Sequence, residues 1–263
     1  MAADESTATI GKRFETIKTI STQESRRDYR AMLLQTTEAM RKYISGVILY
    51  DETFFQKTSA GQAFVDLIKG DGALAGIKVD IGAKSLAGFA GETITEGLDG
   101  LRERLQNYYE NGARFAKWRA VIAIDAAGYP TRSAVEQNAH ALARYAALCQ
   151  EAGIVPIVEP EVLMDGRDGM HSIERCYEVT LNVLRIVFEK LYEARIVLEG
   201  MVLKPNMVID GKKLRKASVE EVAERTLSCL KASVPAAVPG IAFLSGGQSD
   251  IEATAHLNAI NAM

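Results

Sequence analysis

Apolar and β-branched residues cluster in short runs at positions 44–50, 76–80, 113–120, 154–160, 197–205 and 240–245, separated by longer stretches with a different rhythm. In those stretches the apolar positions step by three or four: Leu98, Leu101, Leu105 and Tyr108; Leu142, Tyr145, Ala146 and Cys149; Ile173, Cys176, Tyr177, Thr180, Leu184, Val187 and Leu191. Such steps put side chains on one face of a helix, whereas a short apolar run between turn signals suits a buried strand. The pattern therefore predicts strands alternating with amphipathic helices. Ser-x-x-Glu pairs at Ser21/Glu24, Ser133/Glu136, Ser218/Glu221 and Ser249/Glu252 mark helix starts, because each side chain can satisfy an orphan N–H of a first turn. Asn111-Gly112 and Gly153 supply stops.

Strands separated by single helices, at intervals of roughly 30 to 45 residues, cannot be joined as hairpins and imply right-handed crossovers in a parallel sheet. A seventh candidate strand lies at residues 1–5, ahead of a Ser/Thr-rich turn. No glycine-rich fingerprint follows an early strand, which argues against a dinucleotide-binding fold. The expected architecture is α/β: a (β/α)8 TIM barrel forming a single catalytic domain over residues 1–263, with seven of its eight strands represented.

Composition narrows the function. The 263 residues are 48% hydrophobic and 25% charged, with net charge -3, so a core can form and no global positive field draws nucleic acid or an anionic membrane. Cys149, Cys176 and Cys229 are odd in number, far apart and set in helical patterns, where they serve as small hydrophobes; a reducing, cytoplasmic location is expected. The N-terminal residues are acidic and lack a signal-peptide pattern.

The informative chemistry sits late in the strands. Residues two apart on a strand project the same way, and Lys78 with Asp80, Lys117 with Arg119 and Glu159 with Glu161 are such pairs. Lys204 follows two apolar residues and precedes Pro205, which biases it toward extended backbone. In a barrel these charges converge on the C-terminal mouth, where active sites are built. Partly buried charge in that concentration needs pairing or chemistry to sustain it.

An ordinary lysine is neutral in only about one molecule in 2,500 at pH 7. Lys117 beside Lys204 would disfavour the charged form, freeing an amine to attack a carbonyl and form a Schiff base. Glu159 could shuttle protons during that step, Glu161 could position the lysines, and Asp4 could take a hydroxyl proton. Ser245-Gly246-Gly247-Gln248 is a tight turn ahead of a capped helix, which suits a phosphate, and Lys78 with Arg119 could hold a second. Together these groups describe a retro-aldol apparatus.

The segments A-A-D-E-S-T (2–7), G-I-K-V-D (76–80), R-F-A-K-W-R (114–119), P-I-V-E-P-E (156–161), L-K-P-N (203–206) and F-L-S-G-G-Q (243–248) together resemble class I fructose-1,6-bisphosphate aldolase, in order and over essentially the whole chain. The resemblance implies reversible cleavage of fructose 1,6-bisphosphate to dihydroxyacetone phosphate and glyceraldehyde 3-phosphate, in glycolysis and gluconeogenesis and without a cofactor. It assigns the Schiff base to Lys204, deprotonation of the C4 hydroxyl to Asp4 and acid-base work to Glu159, with Lys117 and Glu161 assisting. It puts the dihydroxyacetone-side phosphate on Ser245 and Gly246, and the other on Ser6 and Lys78 with Arg119 nearby; Thr9 stands where many members have Ser. It also implies a homotetramer. Members begin with a helix before A-A-D-E-S and end in an eighth strand with a Gly-Arg phosphate contact and a tail bearing a tyrosine. None of these is found here, so the chain is expected to be incomplete at both ends, and without them substrate affinity and turnover should be weak.

Other features read as structural. His140, His171 and His256 are dispersed in helices without metal-ligand spacing. Lys212, Lys213, Arg215 and Lys216 suit a solvated loop, Trp118 a core position facing the helices, and Arg26, Arg27 and Arg30 a solvent-facing helix side. Two other functions use the same residues: a scaffold retaining the fold without turnover, and an imine-forming lyase for another sugar phosphate.

Overall fold

The computed structural model describes residues 1–126 and 128–263. In chain order its elements are β1 (Ala2–Ala3), α1 (Thr7–Thr16), α2 (Gln23–Leu34), α3 (Thr37–Tyr43), β2 (Gly46–Leu49), α4 (Asp51–Phe54), α5 (Phe64–Gly70), β3 (Leu74–Lys78), β4 (Ala83–Ser85) and β5 (Thr93–Thr95). Then follow α6 (Leu101–Glu110), β6 (Ala113–Ile122), α7 (Arg132–Glu151), β7 (Val155–Val162), α8 (Ile173–Glu193), β8 (Val202–Leu203), α9 (Val219–Ser233) and α10 (Asp250–Ala262). They gather into two compact units: Met1–Val79 with Gly100–Lys117 and Glu151–Val155, and Asp80–Asp99 with Trp118–Gln150 and Pro156–Met263.

In the first unit β1, β2, β3 and the first half of β6 run parallel, in that order. Leu49 lies opposite Ile77, and Lys78 opposite Lys117, so the two lysines share one level, at the end of β3 and midway along β6. Two glycines allow this packing. A Cβ on Gly76 would meet the Phe115 ring at 2.1 Å, and one on Gly46 would meet it at 2.9 Å. The aromatic ring occupies the space those side chains would need.

In the second unit the end of β6 leads to β7, through Leu163 N–H to Ile122 O at 3.0 Å, and β7 pairs in parallel with β8. The strand expected over 197–205 contracts to Val202–Leu203, because Leu198–Gly200 winds into a single 3-10 turn. Residues 240–245 run beside β8, with Ala242 N–H donating to Leu203 O (2.9 Å) and Leu244 N–H to Pro205 O (3.2 Å), yet regular pairing is limited to a bridge between Leu203 and Ile241. The antiparallel hairpin β4–β5 was not anticipated: β4 is exposed at all three residues and carries no alternation to read.

The caps follow the sequence with local shifts. Ser249 and Glu252 form the full reciprocal box, and Ser218 accepts from Glu221 N–H. At α2 the box moves one residue, to Thr22 with Ser25. At α7 Ser133 lies inside the helix, and the Thr131 hydroxyl accepts from Ala134 N–H instead. Trp118 is fully buried against Tyr145 of α7, and all three cysteines are buried in α7, α8 and α9. Burial raises their thiols, Cys176 to about 11.

Arginines of α2 correct the solvent-face expectation. Arg30 has no exposed surface and Arg26 is buried; only Arg27 keeps to the surface, with Asp28. Arg26 makes a two-pronged contact with Glu52, and Arg30 donates to Glu5 O at 2.6 Å while facing the Glu5 and Glu52 carboxylates at 3.8 and 4.0 Å. These acids come from other elements, so the stripe Arg26, Arg30, Leu34 is an inward face neutralised from outside the helix. Of the histidines, His140 and His256 lie in α7 and α10 as expected, and only His171 departs, in the loop before α8; it and His256 are buried. Arg215 also departs from its basic run, turning toward Asp165 (3.8 Å) and Glu252 (3.7 Å).

Candidate active site

β7 delivers Glu159 and Glu161, two residues apart and so on one face of a strand that is buried throughout residues 158–162. Lys204 lies just past β8, where its N–H donates to Val158 O at 2.8 Å and prolongs the ladder. Its ammonium is 3.0 Å from Glu159 Oε1. Glu161 pairs with Arg119 of β6. Burial works to lower the Arg119 pKa, but Glu161, Glu159 and Asp80 outweigh it and hold the guanidinium above its ordinary value. Asp80 also fixes the backbone there, accepting from Arg119 N–H at 3.2 Å and Gly82 N–H at 3.1 Å.

Asn206, part of the L-K-P-N segment but given no role from sequence, holds the chain after Lys204. Its Oδ1 accepts from Val162 N–H (3.1 Å), and its amide donates to Thr180 Oγ1 (3.1 Å) and Met207 O (3.0 Å). The turn at Ser245 has Gly246 and Gly247 at φ 57° and 86°. Both need to be glycine: a Cβ on Gly246 would lie 1.9 Å from Met164 Cε, and one on Gly247 2.2 Å from an Asp165 oxygen.

In the first unit, Asp4 follows β1 and its Oδ2 lies 2.8 Å from the Lys117 ammonium. These side chains are 13% and 5% exposed, so the pair is largely withdrawn from water. Lys78 stands level with Lys117 and is half-buried. Ser6 caps α1: its hydroxyl accepts from Thr9 N–H at 3.2 Å and lies 3.0 Å from the Thr9 hydroxyl. The two hydroxyls assigned to one phosphate are therefore neighbours, engaged with each other and with the helix start. Among the described residues no three His, Cys, Asp or Glu side chains are grouped to hold a metal ion.

The comparisons with known proteins agree on one family. The sequence profile for fructose-bisphosphate aldolase class-I, a glycolytic family, matches residues 1–263. The chain belongs to the class-I fructose-bisphosphate aldolases. A probable class 1 aldolase of Xanthomonas campestris is 58% identical over 99% of this chain and 77% of its own length; cytosolic aldolase 4 of Arabidopsis thaliana is 53% identical over 99% and 65%. A Plasmodium falciparum aldolase, solved in complex with TRAP and a small-molecule inhibitor, superposes with a TM-score of 0.96 at 50% identity, covering 100% of this chain and 75% of that one. The fold class is thus the α/β TIM barrel of these aldolases, and the activity is cleavage of fructose 1,6-bisphosphate.

Proposed function

We propose that the aldolase reaction of this chain runs through a Schiff base on Lys204, with Glu159 moving protons at its nitrogen. The observation that carries this reading is the 3.0 Å contact between Lys204 Nζ and a glutamate that is itself buried. Glu159 takes a proton from the ammonium, and the neutral amine attacks the C2 carbonyl of the open-chain sugar. The same carboxyl protonates the departing oxygen, so water leaves and an iminium remains. Arg119 and Asp80 keep Glu161 and its strand in place beside this exchange.

Asp4 then takes the C4 hydroxyl proton as the C3–C4 bond breaks. The electron pair moves into the iminium as an enamine, and glyceraldehyde 3-phosphate departs. Reprotonation at C3 and hydrolysis return dihydroxyacetone phosphate and the free lysine. Lys117, 2.8 Å from Asp4, orients the base before the sugar binds. Ser245 and Gly246 are assigned the phosphate on the dihydroxyacetone side, and Lys78, Ser6 and Thr9 the other.

Borohydride reduction with dihydroxyacetone phosphate tests the reading. The expected product is one covalent adduct on Lys204, seen by peptide mass; a folded protein that gains no adduct there would overturn it. A cytoplasmic location and a homotetramer complete the proposal. The first is supported by relatives named as cytosolic, and no helix among the described residues is long and apolar enough to cross a membrane. Sedimentation velocity on the purified chain checks the second.

A further inference from the structure

Gln248 and His256 are both buried, and neither enters the mechanism above. The Gln248 amide lies between two thioethers, 4.0 Å from Met164 Sδ and 3.7 Å from Met207 Sδ, which are weak acceptors. Its useful bonds are elsewhere. Nε2 donates to Ser245 O at 3.2 Å, and the Gln248 backbone N–H donates to the same oxygen at 3.2 Å. With Nε2 spent as the donor, Oε1 is the atom that meets His256 Nδ1 at 2.5 Å, so the imidazole carries its proton on Nδ1 and donates.

This arrangement bears on the turn itself. In a trans peptide the carbonyl of one residue and the N–H of the next point in opposite directions. Two donors from Gln248 hold the Ser245 carbonyl inward, and the Gly246 N–H is thereby aimed away from Gln248. A left-handed Gly246-Gly247 backbone has other conformations within reach, since glycine is freer than any other residue. A rigid partner on the carbonyl removes that freedom before a ligand arrives.

We infer that His256, acting through Gln248, is a positioning residue that sets the Ser245-Gly246 turn to receive the phosphate of dihydroxyacetone phosphate. The inference rests on the proposed placement of that phosphate. It extends the assignment from the two residues that touch the ligand to a buried pair behind them. His256 lies in the second turn of α10, whose N-cap Ser249 follows Gln248 directly, so the pair also ties the helix to the turn it must present.

The test compares His256→Ala with His256→Asn, whose amide can return a donor near the Nδ1 position, and with Gln248→Met, which replaces the amide by a side chain matching its thioether neighbours. For His256→Ala and Gln248→Met, the dihydroxyacetone phosphate concentration that half-saturates borohydride trapping should rise about tenfold. His256→Asn should recover most of that loss. Trapping by unphosphorylated dihydroxyacetone should be unchanged in all three, which a general loosening of the fold would not allow. Unchanged phosphate-ester trapping in His256→Ala, or equal loss with both ketones, would overturn the inference. Titration with inorganic phosphate separates it from the imine reading: a parent protein that binds phosphate, with His256→Ala weakened, but is never trapped keeps this inference and ends the other. A parent that binds no phosphate ends this one.

Discussion

Lys204 and Glu159 each lie one residue beyond the paired Val158 and Leu203, and their charged atoms meet at 3.0 Å. Parallel register, more than any loop, brings the proposed nucleophile and its proposed acid-base partner together, so their separation is fixed by the sheet. Lys204→Met should abolish borohydride trapping altogether. Glu159→Gln retains a polar group of the same shape but no exchangeable carboxyl, and should slow imine formation about 10²–10⁴-fold while leaving the final adduct on Lys204. Single-turnover trapping by mass measures both, and a Glu159→Gln protein trapped at the parent's rate would remove Glu159 from the mechanism.

In the proposed reaction Asp4 and Lys117 serve a later step. Asp4→Asn should lower fructose 1,6-bisphosphate cleavage about 10²–10⁴-fold, because no base remains for the C4 hydroxyl. Its trapping by dihydroxyacetone phosphate should stay at the parent's level, since that ketone forms its imine without any carbon bond breaking. Loss of trapping and cleavage together would mean that Asp4 serves the structure around Lys117, its ion-pair partner at 2.8 Å, and not the bond-breaking step.

The placement of these charges was legible in the sequence because residues two apart on a strand share a face. Glu159 and Glu161 sit two apart and both are buried on β7, and Trp118, between Lys117 and Arg119, faces α7 as alternation requires. Arg30 was not legible. Its four-residue spacing from Arg26 was visible, but a charged stripe reads as solvent-facing until the acids that cover it are known, and Glu5 and Glu52 come from distant positions. Gln248 and His256 escaped for a related reason: lone histidines in helical patterns are common, and only the fold puts this one 2.5 Å from the amide that holds the Ser245 carbonyl. The short β8 was overestimated because Val197 and Leu198 are apolar without being paired.

Arg30 joins Glu5 and Glu52 in the interior of the first unit. It is fully buried, donates to Glu5 O, and has two carboxylates within 4.0 Å, and desolvation outweighs them in lowering its pKa. Replacing it with Met removes one partner from a buried network. Such losses run to about 3–5 kcal/mol, and this one should fall at the low end because Glu5 keeps Arg13 and Glu52 keeps Arg26. Urea unfolding measures it. An Arg30→Met protein with the parent's midpoint would show that the network contributes nothing net.

The contact between Arg26 and Glu52 should appear in the response to acid. Hydrogen bonding to Arg26 is the main cause that holds the Glu52 pKa below its ordinary 4.5, so the folded chain binds this proton less readily than the unfolded chain does. A carboxylate depressed in this way stabilises the fold fully above the unfolded value. The contribution is lost as pH falls through the folded value. Glu52→Gln lacks the charge at every pH. The parent should therefore exceed the variant in urea midpoint near pH 6, and the gap should close as pH falls below 4.5 and through the lower folded value, where Glu52 becomes protonated. Because Glu52 retains some exposure, added salt should narrow the gap at the higher pH as well. A gap that stays constant across the acid range would mean that the pair acts through shape and hydrogen bonding alone, with no contribution from its charge.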